Sequence, residues 1–344
     1  MPRNRLITVA AVSLALVALG AACGNDDDGA DVRDISEDCD GSGSASPSGS
    51  VSGSASPSGS SSASGSGSSD GSGSGCPSGS GSGSGSGIAS EVGGSSTDNP
   101  LVQDAIDDYS AYVAEQVDET IAATTTFTDA VRAGDVEGAK AAYAPSRQGW
   151  ERIEPIAGLV EEIDGKVDAR VDDFAGEGDP AFTGWHRLEY ILWELGTTDG
   201  AAEFADQLDA DLQTLKTELE GIEIPPAALA VGSSELIEEV SGGKITGEED
   251  RYSGTDLWDF AANVDGSQTA FELLVPALEE QDPELVTTIE EQFAELDDQL
   301  SAYAEGEGYQ HYSALTEPDK TAMQTTLAEL SESLATMAGV LGLE

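Results

Sequence analysis

From residue 99 to the C-terminus, apolar side chains return every three or four positions rather than every second one, which is the spacing that lines one face of an α-helix. The period predicts a helix that opens at Pro100 and Leu101 and runs to about Arg132. The next segment, GDVEGAKAAYAPSRQGWERIEPIAGLVEEI, reads as a short helix followed by another that carries Trp150, Ile153 and Ile156, with Pro155 bending or ending it. Further helices are predicted over 183–195, 201–219, 226–240, 255–278, 283–304 and 318–341. Glycine and proline punctuate the chain at 176–180, 196–200, 225–226, 242–243 and 306–308, and alternating stretches are nearly absent. The pattern predicts an all-α fold whose simplest arrangement is two adjoining four-helix bundles.

The first hundred residues are patterned differently. A basic start, Met1 to Arg5, precedes an unbroken run of apolar and small residues from Leu6 to Ala22, as in a secretory signal. The run is barely long enough to span a bilayer. It ends at Cys23, directly before Gly24-Asn25-Asp26-Asp27-Asp28, so residues 1–23 read as a lipoprotein signal peptide with Cys23 as the lipidated residue. LGAAC resembles the lipobox with one departure, since Gly20 stands where a large apolar residue is usual and Leu19 comes one place early. An ordinary cleaved signal or an uncleaved anchor is the alternative. Residues 24–98 are mostly Gly, Ser, Ala, Pro and Asp. So little apolar surface cannot offset the entropy of ordering, and the segment reads as a disordered N-terminal tether. A Gly/Ser coil of that length reaches roughly 50 Å. Cys39 and Cys76 lie in it, and whether they pair is left open.

Charge narrows the range of partners. Fourteen Lys and Arg stand against 66 Asp and Glu, a net charge of −52, which repels nucleic acid. Metal cations and cationic proteins remain, but a surface adapted to a salty habitat has the same composition, so acidity alone does not point to a metal site.

Candidate chemistry begins at GWHRLEYILW, residues 184–193. Leu188, Leu192 and Leu195 form the apolar stripe of this helix, while His186, Glu189 and Trp193 fall on the adjacent stripe, beside the core. A partly buried imidazole and carboxylate each need a partner, and either a shared cation or a neighbouring Arg or Tyr supplies one. SRQGWERIEPI adds Glu151 and Glu154 three apart on another helix, with pairing to Arg147 and Arg152 on a solvated face as the alternative. Two facing helices offering Glu-x-x-Glu and His-x-x-Glu would converge three carboxylates and one imidazole, by the ligand logic of carboxylate-bridged iron bundles. Such an oxygen-rich set suits hard cations such as Fe³⁺, Mn²⁺ or Ca²⁺. Ser253 and Asp256 have the spacing of a capping box, and His311 reads as an exposed loop residue.

In order, YAPSRQGWERIEPIAG, IDGKVDARVDDF, GWHRLEYILW and GEEDRYSGTDLWDFAANVDGSQTAFELL resemble the imelysin-like domain of the EfeM/EfeO lipoproteins, over about residues 99–344. The resemblance implies an all-α fold of two helical bundles with a metal site built around Gly-x-His-x-x-Glu. Carried over by position, it implies His186 and Glu189, the pair Glu151 and Glu154, Asp168 of the Lys-hydrophobe-Asp-Ala-Arg block, and Glu249 ahead of Arg251-Tyr252-Ser253 as metal residues. Many relatives have histidine where this chain has Gly254, so that side chain's contribution is missing. Some also carry an N-terminal cupredoxin domain, whereas the Ser/Gly tether here offers no His and Met set for copper.

The function so implied is an extracytoplasmic, membrane-tethered component of iron uptake that captures Fe³⁺ or Fe²⁺, with other divalent cations as competitors. Its implied partners are an iron permease and a haem peroxidase of the same system. Protonation of His186 or the carboxylates would weaken the site and permit release. Enzymatic alternatives are a peptidase, since the family has been grouped with peptidases, and a di-iron ferroxidase. Tyr190 fills the place of the second histidine in the inverted zinc-peptidase signature His-x-x-Glu-His.

Overall fold

A computed structural model describes residues 97–343. The leader 1–23 with Cys23, and the linker up to residue 96 with Cys39 and Cys76, lie outside the described residues. Helix α1 (Pro100–Ala133) starts where the sequence signals it. The Asn99 side chain accepts from the Leu101 amide, Pro100 occupies a first-turn position whose missing N–H is not needed, and Gly134 closes the helix at a φ of 76°. Helix α2 (Val136–Ile153) is capped by the Asp135 side chain. It runs unbroken through Pro145, where two helices were expected. Pro145 and Ala141, whose carbonyl loses its helical partner, both face solvent, so water satisfies what the proline leaves open. At Pro155 the helix does end, tightening into a 3₁₀ turn over Glu154–Leu159.

The remaining elements are α3 (Glu161–Val167), α4 (Gly184–Trp193), α5 (Ala202–Leu219), α6 (Pro226–Gly242), α7 (Asp256–Glu279), α8 (Pro283–Ser301), α9 (Glu317–Ala335) and α10 (Met337–Leu341). The described chain is thus all-α but for one antiparallel pair, β1 (Ala304–Glu305) and β2 (Gly308–Tyr309), which occupies the glycine break at 306–308. Helices α1, α2, α4 and α5 form one packed set and α6 to α9 a second, joined where α1 and α2 meet α7. One continuous buried core runs through both. Among the described residues, no helix is long and apolar enough to cross a membrane.

Three local expectations need correction. Helix α4 stops at Trp193, so Leu195 is 55% exposed instead of extending the apolar stripe. The C-terminal helix breaks at Thr336 into α9 and α10. At the start of α7 the capping box does not form: Ser253 Oγ pairs with Thr255 Oγ1, and the Asp256 carboxylate accepts from the Asp250 amide.

The two helical sets close tightly on the end of α2. A Cβ on Gly266 of α7 would lie 2.0 Å from the Arg152 carbonyl oxygen, and one on Gly232 of α6 would lie 1.9 Å from that of Pro155. Backbone carbonyls cannot swing aside as a side chain would. Gly266→Ala is therefore expected to destabilise the fold by about 1–3 kcal/mol through overpacking. Calorimetry should show a melting temperature lower by several degrees, and an unchanged value would mean that α2 and α7 are not locked together here.

Candidate metal centre

The face of α2 that looks inward presents Tyr143, Arg147, Trp150 and Glu151, all buried. Helix α4 supplies His186 and Glu189, three apart on one face. Its first residue, Gly184, has a φ of +77°, and a Cβ there would lie 2.2 Å from the Val167 carbonyl oxygen. Only glycine lets α4 begin pressed against the end of α3, and that contact sets His186 beside Asp168, the residue that caps α3. The connection from α6 to α7 brings Lys244, Glu249 and Asp250 from the second helical set, and α7 opens with Asp256, Asp259 and Asn263.

The imidazole of His186 is the centre of this assembly. Its Nε2 is 3.6 Å from Asp168 Oδ1 and 3.6 Å from Glu249 Oε1. Although buried, that nitrogen makes no hydrogen bond. On the other edge, Nδ1 is 3.3 Å from Glu189 Oε2, 3.3 Å from the Tyr143 hydroxyl and 3.9 Å from Asp250 Oδ1. The second oxygen of Glu189 accepts the amides of Tyr252 at 2.9 Å and Ser253 at 2.7 Å, and Tyr143 donates to Asp250 at 2.8 Å. Asp168 also accepts from the Trp150 indole at 3.0 Å. Two overlapping groups result, Asp168–His186–Glu249 and His186–Glu189–Asp250, each with its ligand atoms within 4.8 Å of one another.

Glu151 and Glu154 are engaged differently. Arg147 and Lys244 hold Glu151, and Lys244 Nζ lies 2.7 and 2.9 Å from the two oxygens of Glu154. Asn263 donates to both carboxylates, at 2.9 and 2.8 Å. The pair therefore sits beside the His186 groups with resident cations of its own. Arg147 is the expected alternative partner of Glu151, but Arg152 turns away to Asp265 at 2.7 Å. His311 is exposed: its Nδ1 accepts from the Ser313 amide, and its ring lies over Gly254, outside both groups.

Seven carboxyl side chains (Glu151, Asp168, Glu189, Glu249, Asp250, Asp256 and Asp259) are buried here against two permanent cations, Arg147 and Lys244. The protonation states show the strain of that excess. Burial raises Glu249, but Lys244, His186 and Arg170 outweigh it and hold the carboxyl well below its usual range. Asp259 goes the other way, pushed well above its ordinary value by burial that the Arg147 charge does not offset. Burial, then the Asp250 charge, raises Asp256 to about 8. For His186, burial and Arg147 disfavour the proton, yet contacts with Glu189 and Glu249 and the Asp168 charge raise it to about 9. Protons stand in where positive charge is short. Oxygen donors with one imidazole, an unpartnered buried nitrogen and surplus negative charge fit a hard cation.

Of the six residues that the sequence singles out, His186, Glu189, Asp168 and Glu249 meet around one imidazole, whereas Glu151 and Glu154 lie beside it on Lys244. Sequence reasoning overlooked Asp250 and Lys244. The doublet Glu249-Asp250 was a signal for the first, because neighbouring loop residues can serve opposite edges of one ring; nothing near Lys244 in sequence marks its role.

The family model described as Imelysin matches residues 105–337. The iron uptake system components EfeO of Escherichia coli (strain K12) and of Shigella flexneri are each 46% identical over 241 residues, 70% of this chain and 64% of theirs. The matched region thus spans just under two thirds of those relatives.

The proton on His186 also stabilises the fold. The folded chain holds this proton to about pH 9, the unfolded chain only to about 6.5. Its contribution is therefore complete below pH 6.5 and lost as pH rises through 9. Asp164 and Asp256, both raised to about 8, add to the decline up to that pH. The metal-free chain is expected to melt at progressively lower temperature from pH 6.5 to 9, with His186→Gln flattening the upper part. A level or rising curve would refute the assignment.

Proposed function

The chain belongs to the imelysin family, and on that premise we propose that it is an extracytoplasmic, membrane-tethered protein that captures iron and passes it to a permease. The observation that carries the reading is the buried, unpartnered Nε2 of His186, which faces Asp168 and Glu249 inside a cluster with too few positive charges. The relatives named as iron uptake system components support iron as the cargo.

In this reading Asp168, His186 Nε2 and Glu249 take the cation. Glu189, anchored by the Tyr252 and Ser253 amides, accepts from Nδ1–H and turns the opposite nitrogen toward the metal, as carboxylates commonly do behind a ligating histidine. Trp150 and Arg147 fix Asp168, and Arg170, 3.0 Å from Glu249 Oε2, fixes Glu249. Asp250 lies in reserve on the Nδ1 side, while Glu151 and Glu154 contribute negative charge through Lys244. No bond need be made or broken. Residues 1–23 serve as the leader, Cys23 as the lipid anchor, 24–98 as the tether and 99–344 as the capture domain, with a haem peroxidase of the same system as a further partner. A ferroxidase reading has one observation in its favour, since carboxylates face both nitrogens of His186.

Calorimetric titration with elemental analysis decides between them. One Fe³⁺, Fe²⁺ or Mn²⁺ per chain without turnover is expected, with affinity lost at least a hundredfold in His186→Ala and Glu249→Ala. Glu189→Ala should weaken binding by about 10–100-fold. Two ions with oxygen consumption would favour the oxidase, and absence of specific binding in the wild type would defeat the capture role.

A further inference from the structure

Lys244 is a buried cation among the very carboxylates that a captured ion needs. It begins the connection between α6 and α7, in a 3₁₀ turn over Lys244–Thr246, and is 3% exposed. Its ammonium lies 3.0 Å from Glu151 Oε2, 2.7 Å from Glu154 Oε2 and 3.9 Å from Glu249 Oε1. That last oxygen is also the one 3.6 Å from His186 Nε2. Fixed charge and cargo position therefore meet at a single atom. A hard cation bound at about 2.2 Å from that oxygen would lie no more than about 6 Å from the ammonium.

The two resident cations differ in what they can do. Arg147 is forked across Glu151, Asp168, Glu249 and Asp259 and stacked over Trp185 at 5.6 Å, so it is held from every side. Lys244 is a compact charge on a flexible stem, attached chiefly at Glu151 and Glu154, with Glu249 at the edge of its reach. An ammonium that leans toward Glu249 neutralises it when no metal is there, and is repelled when one is.

Resting on the capture reading, we propose that Lys244 is a tethered counter-ion that competes with the captured cation for Glu249 and so sets how tightly the ion is held and how fast it leaves. Repulsion grows with the charge of the ion, so Lys244 restrains a trivalent cation more than a divalent one. It keeps the site from becoming a trap, because the departing ion leaves behind a carboxylate that already has a partner within reach.

The test uses the full chain with two probes of different charge, Mn²⁺ under anaerobic conditions and Ga³⁺, titrated by calorimetry, and a chelator to time dissociation. Lys244→Gln removes the charge but keeps an amide that can donate to Glu154. It is expected to tighten Mn²⁺ by about tenfold and Ga³⁺ by a larger factor, with slower release of both. Lys244→Arg restores the charge on a bulkier, more rigid head and should bring both affinities back toward wild type, a rescue that a purely packing role would not produce. Unchanged or weaker binding in folded Lys244→Gln, or an equal factor for the two ions, overturns the proposal. Should Lys244→Gln fail to fold, the wild type still answers. It has five lysines, so lysine-selective ¹⁵N labelling reads the Lys244 ammonium directly; its resonance should move on Ga³⁺ loading, and an unmoved one is equally fatal. If the wild type binds neither ion, the capture reading falls as well; if it binds tightly and Lys244→Gln matches it, only the role of Lys244 falls.

Discussion

Arg147 holds the interior of this protein together. Its guanidinium has no exposed surface and lies within ion-pair distance of five carboxylates, drawn from its own helix, from the end of α3, from the connection before α7 and from α7 itself. Burying that many acids would be prohibitive without it, since each needs a partner to leave water. Removing one member of a buried ion pair typically costs about 3–5 kcal/mol, and here a single side chain is a member of several. The same forked group also dictates geometry: Asp168 and Glu249 face His186 because each is held partly by Arg147, with Trp150 and Arg170 fixing their other oxygens.

Negative charge still exceeds positive after Arg147, Lys244 and Arg170 are counted, and that excess raises His186 to about 9 and, with burial, Asp256 to about 8. A site in that condition has capacity for a cation without being pulled apart in its absence. Surplus acidity in the interior is also independent of the acidic surface. The chain's net charge of −52 is a property of composition, whereas the cluster is a property of packing.

What the sequence revealed follows the range of the interactions involved. Helices were legible because their signals are local: Asn99 before Pro100, Gly134 after Ala133, the three-four spacing between. Pro145 misled because its effect depends on which face it lies on, and only packing decides that. His186 and Glu189 were visible as an i, i+3 pair. Asp168 and Glu249 came only through the order of blocks resembling a known family, since each reaches the cluster from an irregular segment. Glu151 and Glu154 are visible as a pair three apart, but the sequence leaves their face open, and the cation that meets them, Lys244, stands about ninety residues later, beyond any periodicity. Asp250 is opposite Tyr143 for the same reason.

The close seating of α6 and α7 on the end of α2 has a further meaning for how the chain is inherited as a unit. The two helical sets look like a tandem that recombination could separate at the short connection after α5. Yet Arg147, Asp168 and His186 come before that point, while Lys244, Glu249, Asp250 and Asp259 come after it. Either half alone would expose an incomplete set of charges and an open interior face. Cut at that connection, neither half would keep a complete set of partners for the charges it buries.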